Sequence, residues 1–187
     1  MQRTVTTVAL VAALLASAAP ASGQTIAVTK KEQAQWLRWV IPLPKQIMIG
    51  GKIVLPASHV KMRLRKEAGE VERTAADELL ALFKEQAGAD LTKGTFEILM
   101  GVCDKTGKLE DVDVPGAVKL ADLANPDQAY VIRPVGANRL VLTALDERGV
   151  YYAAQTLKQL LESRFADGKV AIPLVSVLDW PDLAERG

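Results

Sequence analysis

The hydrophobic period of this chain changes twice along one short stretch, and few architectures accommodate that. Val60, Met62 and Leu64 alternate with Lys61, Arg63 and Arg65, the pattern of a strand with one solvated face. From Glu70 to Ala87 the spacing lengthens. Ala75, Ala76, Leu79, Leu80, Leu82, Phe83 and Ala87 recur every three or four residues, which predicts an amphipathic helix with Gly88 as its left-handed stop. Phe96, Ile98 and Met100 then return to alternation. Strand, helix and strand in that order predict a right-handed crossover onto one sheet.

The flanking segments extend the sheet. Tyr130 to Val135 and Arg139 to Ala144 read as a hairpin around Gly136-Ala137-Asn138. Asp146 is placed to cap a second helix, whose stripe is Val150, Ala153, Ala154, Leu157, Leu160 and Leu161. Glu147 complements that helix's dipole, and Gly149 permits close approach. Ala166-Asp167-Gly168 breaks to a last strand, Ile172 to Leu178. Upstream, Ile47-Met48-Ile49 and Ile53-Val54-Leu55 read as two short strands joined by a Gly50-Gly51 turn. Pro42 and Pro44 favour an extended lead-in over residues 36–44. Residues 103–128 read mostly as loop, with a short helical turn near Ala117 to Leu123. The expected class is α+β: a mixed β-sheet of about seven strands with two long helices on one face.

Residues 1–23 stand apart. Arg3 precedes an apolar stretch from Val5 to about Ala16, and small residues lead to Ala19-Pro20-Ala21-Ser22-Gly23, the pattern of a secretory signal peptide. A secreted or periplasmic product follows, with no membrane association after cleavage. Residues 24–45 then form an N-terminal extension, 46–178 the α+β domain, and 179–187 the start of a further unit. Setting Arg3 aside leaves 22 basic against 22 acidic residues. A balance so near neutral argues against nucleic acid as a partner. Cys103 is the single cysteine and sits beside Met100 and Val102, so a buried apolar role is expected.

Chemistry-bearing patterns are sparse. His59 is the only histidine and has no spaced Cys or His partners, so no metal centre and no cofactor are expected. Glycoside hydrolysis needs two opposed carboxylates. Asp77-Glu78, Glu110-Asp111-Asp113 and Asp182/Glu185 supply acids but no feature separating them from solvated charge. The 110–113 group lacks the spacing of an EF-hand loop. No Gly-x-Ser-x-Gly turn or phosphate loop occurs, and no catalytic residue is assigned. Trp180 and Leu183 follow a buried strand, where a large aromatic would stand uncovered. That predicts an interdomain contact through Asp179, Trp180, Pro181 and Leu183.

The stretch from Asp127 to Gly187 carries a likeness. Ala144, Arg148, Gly149, Tyr152, Gln155, Thr156 and Leu157 fit a pattern Ala-x-x-x-Arg-Gly-x-x-Tyr-x-x-Gln-Thr-Leu, followed by Ile172-Pro173 and by Asp179, Pro181, Arg186 and Gly187. This resembles the hairpin and helix ahead of the barrel in glycoside hydrolase family 20, the β-N-acetylhexosaminidases. Similar domains precede the barrel in families 84 and 67. The family's usual Arg-Phe after the proline is Asp182-Leu183 here. The resemblance implies a non-catalytic domain that braces a catalytic barrel absent from this chain. That barrel would be the partner in cis and the route to a carbohydrate substrate. The resemblance makes Arg186 a substrate-binding candidate, on the first barrel strand. It places the family's catalytic Asp-Glu pair in the barrel, and no residue here matches that pair.

Two functions from different classes follow. One is an accessory domain of a secreted glycoside hydrolase, inactive alone, whose full-length parent is an enzyme. The other is a free-standing secreted glycan- or protein-binding module of the same fold. Only three Trp, three Tyr and three Phe are available as sugar platforms, which favours the first.

Overall fold

A computed structural model describes residues 24–183. In chain order the elements are β1 Thr25–Ile26, α1 Lys30–Leu37, β2 Gln46–Pro56, β3 Val60–Leu64, α2 Glu70–Ala87 and β4 Phe96–Val102. They continue through β5 Lys108–Leu109, β6 Val112–Asp113, β7 Tyr130–Pro134, β8 Arg139–Ala144, α3 Glu147–Leu161, β9 Phe165–Ala166 and β10 Lys169–Asp179. Eight strands form one mixed sheet in the order β1-β2-β10-β7-β8-β4-β3, with β9 on β10, and β5 pairs β6 separately. β3, β4 and β8 are parallel neighbours, while the remaining pairs of the large sheet are antiparallel. The class is α+β.

The crossover predicted by the period change is present as β3-α2-β4, with Val60 to Leu64 in register against Phe96 to Met100. Helix α2 stops at Gly88, whose φ of 64° is left-handed and costs glycine nothing. Asp146 caps α3, its carboxylate accepting from the Arg148 amide. Asp167 and Gly168 both take positive φ, 51° and 70°, as a two-residue hairpin between β9 and β10 requires.

The Gly50-Gly51 turn is not there. β2 runs unbroken through both glycines because β10 pairs with it along nearly its whole length. The register shifts once, so that Gly50 is an extra residue on β2 opposite Leu174 and Val175. Such a bulge bends a strand without ending it. Gly51 is small for another reason: a Cβ there would meet the Ile26 carbonyl and Thr25 Cγ2 at 3.1 Å, where β1 lies against β2.

Two more segments differ from expectation. α1 occupies part of the lead-in, capped by Thr29, whose hydroxyl accepts from the Glu32 amide. The spacing Thr29-x-x-Glu32 is itself a capping signature. The 103–128 segment is a second layer. Its Leu109, Val112, Val114, Ala117 and Leu120 form a core cluster with Leu99, Val131 and Val141 of the sheet. That layer explains why β4 is buried on both faces. Ile98, Met100, Ile132 and Leu142 point the other way, into the larger cluster that α2 and α3 complete.

Two carboxylates register the helices, one tying α2 to the sheet and the other tying α3 to α2. Glu72, fully buried, accepts from the Gly69 and Val102 amides and from the Arg65 guanidinium. It thereby joins the start of α2 to the end of β4. Burial alone pushes this carboxyl up, but Arg65 and the two amides together hold it below the usual glutamate range. Gly69 offers α2 no capping side chain, and Glu147 of α3 supplies the acceptor instead, bonding the Val71 amide at 3.1 Å. Its carboxylate lies 1.9 Å from where a Gly69 Cβ would stand, so a side chain there would displace Glu147 from this bond. Gly149 serves close packing: a Cβ would lie 2.5 Å from the Ala129 carbonyl and from Ala144 Cβ.

Two outcomes are expected. A depressed carboxyl contributes stability that is full above its unfolded value, about 4.3, and is lost as pH falls through and below that value. Urea midpoints should therefore drop on acidification, and Glu72→Gln should flatten that drop; an unchanged slope would remove Glu72 from the account. Gly149→Ala should cost about 1–3 kcal/mol by pushing α3 off the sheet. Gly50→Ala, with its nearest atom at 3.9 Å, should be tolerated in the same thermal melts.

Candidate interdomain surface

The two ends of the domain meet at one surface. After α1, the chain crosses as a strap over residues 39–45. Trp36, Val40 and Pro44 are buried and anchor it. Between these anchors the side-chain amide of Gln159, on α3, grips the backbone of Ile41. Its oxygen accepts from the Ile41 amide at 2.9 Å, and its nitrogen donates to the Ile41 carbonyl at 3.0 Å. A neighbouring strand offers a backbone the same pair of bonds. Trp39, Ile41 and Leu43 are left facing solvent.

The other wall is the end of β10. Asp179 is buried and accepts from the Lys45 amide at 3.0 Å, which latches the strap to the sheet. Trp180, expected to stand uncovered, is half-buried. One side packs on the second core cluster, and Lys45 Nζ lies 5.3 Å from its ring centroid. Pro181 is buried, and its carbonyl accepts from Asn125 Nδ2 at 3.0 Å. Asp182 pairs with Lys45 at 2.6 Å, and Leu183 is exposed. Pro42, Leu43, Lys45 and Tyr152 thus line a cleft of about 540 Å³ together with Asp179, Trp180, Pro181 and Asp182. Of the predicted site residues, Asp179, Trp180 and Pro181 line this cleft, and Leu183 follows them in the chain, exposed. Arg186 and residues 1–23 lie outside the described residues.

Sequence reasoning missed the strap's half of this surface. The signal was present. Pro42 and Pro44 cannot donate to a sheet ladder, so the alternation through Trp39, Val40, Ile41 and Leu43 had to be read off the sheet.

The other chemistry-bearing residues are absorbed into the fold. Glu78 is the acceptor for Tyr151, Gln155 and Lys158 of α3. The Gln155 hydrogen bond foremost, then Lys158, holds its carboxyl below the usual range. Glu110 bonds Arg63 and the Lys66 amide. Glu97, also buried, faces Lys61, Arg63 and Arg139. Cys103 donates to the Ala144 carbonyl at 3.3 Å, and burial pushes its thiol up. The carbonyl of His59 accepts from the Thr95 amide, while its Nδ1 is buried without a partner. Among the described residues there is no group of three or more His, Cys, Asp or Glu able to hold a metal, and no helix long and apolar enough to cross a membrane. The pattern residues of α3 do structural work. Gly149 meets Ala144, Thr156 bonds the Tyr130 hydroxyl at 2.7 Å, and Gln155 bonds Glu78 at 2.7 Å.

Removing the grip should loosen the strap alone. Gln159→Ala should speed amide hydrogen exchange at Ile41, at a stability cost of about 1–2 kcal/mol for two lost bonds. Amides of β4 should keep their protection; general loss of protection would mean that the grip is not local.

Residues 38–180 match the family model described as glycosyl hydrolase family 20, domain 2. The fold is similar to an exo-β-N-acetylglucosaminidase of that family from Vibrio harveyi in complex with N-acetylglucosamine. There the TM-score is 0.53 at 17% identity, over 85% of this chain and 20% of that one. It is also similar to the family 20 β-N-acetylhexosaminidase of Streptomyces coelicolor A3(2), with TM-score 0.53 at 18% identity, over 79% of this chain and 27% of that one. The family 84 protein CpGH84D gives TM-score 0.55 at 15% identity, covering 79% of this chain and 24% of that one. The chain therefore spans about a fifth to a quarter of the length of the solved proteins it matches.

Proposed function

This chain belongs to glycosyl hydrolase family 20 through its domain 2, and from that premise we propose that it is the non-catalytic accessory domain of a secreted glycoside hydrolase of the β-N-acetylhexosaminidase type. In this reading the domain braces a (β/α)₈ barrel that carries the chemistry in the same polypeptide. The observation that carries it is the proportion of lengths. At least 79% of this chain aligns to relatives of which it covers at most 27%. The bulk of each relative lies beyond the shared unit.

The residues behind the family resemblance support a bracing role. Gly149, Gln155 and Thr156 are committed to packing α3 against the sheet and α2, so a rigid scaffold is what the pattern secures. Polar groups from adjacent elements that satisfy one another fix a unique arrangement. N-acetylhexosamine-containing glycans are the proposed substrates, reached through the barrel. Residues 1–23 are read as the export signal to a secreted or periplasmic location. Arg186 is the proposed contribution of this stretch to sugar binding.

The assay is hydrolysis of a chromogenic N-acetyl-β-glucosaminide by the 187-residue chain and by the full-length gene product. Turnover is expected only from the longer protein, and turnover by the 187-residue chain would overturn the reading. In the longer protein Arg186→Ala should lower kcat/KM about tenfold to a hundredfold, the worth of one hydrogen bond from a charged donor.

A further inference from the structure

We infer that the strap at Trp39, Ile41 and Leu43, together with Leu183, is the face on which the barrel docks. This rests on the function proposed above and names the surface it uses. The four side chains are 59%, 73%, 57% and 74% exposed. Single exposed apolar residues are ordinary, whereas a run of large ones on one strap marks an interaction surface, and here Ile41 lines a small pocket that shares Pro42 and Tyr152 with the cleft. Leu43 lines the cleft that also holds Asp182, the neighbour of Leu183.

Loose chain does not explain this exposure. The strap is fixed by buried Val40, by the Gln159 grip on Ile41 and by the latch from the Lys45 amide to Asp179. The fold buries one set of side chains from this segment and presents the other. Among the described residues that line the cleft, Lys45 pairs with Asp182 and buried Asp179 accepts from the Lys45 amide, so the exposed strap offers an occupant mainly apolar surface.

The barrel is singled out by where the family unit begins and ends. Its match runs over residues 38–180, so one bound adjoins Trp39 and the other lies in the cleft wall. The chain before residue 38 belongs to this domain as β1 and α1, whereas polypeptide that continues past residue 180 leaves from the cleft. A domain tethered there meets the patch at the high effective concentration of an intramolecular partner, and a small patch then suffices.

The test is acrylamide quenching of tryptophan fluorescence in the 187-residue chain and in the full-length product, with Trp39→Phe isolating the Trp39 signal in each. Trp39 should be quenched readily in the shorter chain and lose that accessibility in the longer one. The combined Trp39→Ser, Ile41→Ser, Leu43→Ser variant should leave the thermal midpoint of the shorter chain in place and split full-length unfolding into two transitions. Met48→Ser, at another exposed site, should do neither. Should a full-length product that hydrolyses the glucosaminide leave Trp39 equally accessible, the docking face is wrong and the functional reading survives. A product with neither barrel nor hydrolysis overturns both. Shielding of Trp39 that grows with the concentration of the shorter chain assigns the face to a second copy and also overturns the inference.

Discussion

A carboxylate without water around it must find donors, and Glu72 finds them on three separate segments. Arg65 follows β3, Gly69 precedes α2, and Val102 ends β4. The parallel crossover is thus closed at the end where α2 begins, and α2 cannot shift along the sheet without leaving a buried charge uncompensated. Breaking one side of such an arrangement is far costlier than never having built it. Glu147 extends the tie to α3 by capping α2 from outside. The remaining packing, including the approach at Gly149, presupposes that registration.

Fixing the helices fixes the surface. Gln159 and Tyr152 both stand on α3, and the strap that displays Trp39, Ile41 and Leu43 hangs from the first of them. The opposite wall is the end of β10, whose place is set by long pairing with β2 and by β7. Two chain segments more than a hundred residues apart become one face because a helix and a strand hold them rigidly. An accessory domain that braces a larger unit needs that stiffness more than it needs reactive groups.

Much of this was legible in advance because its causes are local. The bounds of α2, the Gly88 stop, the Asp146 cap and the hairpin at Gly136 each follow from side chains within a few residues of one another. Gly50-Gly51 shows the opposite case. Locally it reads as a turn, but pairing with a strand some 120 residues later stabilises it as a bulge. The 103–128 segment looked like loop because its apolar residues are spaced irregularly, and only the sheet face beneath them gives them a common partner. Trp180 looked bare for the same reason: its cover, Lys45 and the second cluster, comes from distant parts of the chain.

The sequence by itself determined both long helices, the crossover unit, the β7-β8 hairpin and the family pattern, since periodicity and capping are written in neighbouring residues. Tertiary structure alone decided that Gly50 bends a strand, that Glu147 of α3 also caps α2, and which apolar side chains stay in water. Those outcomes depend on contacts between residues far apart in the chain, and no local rule ranks such contacts before the fold has brought them together.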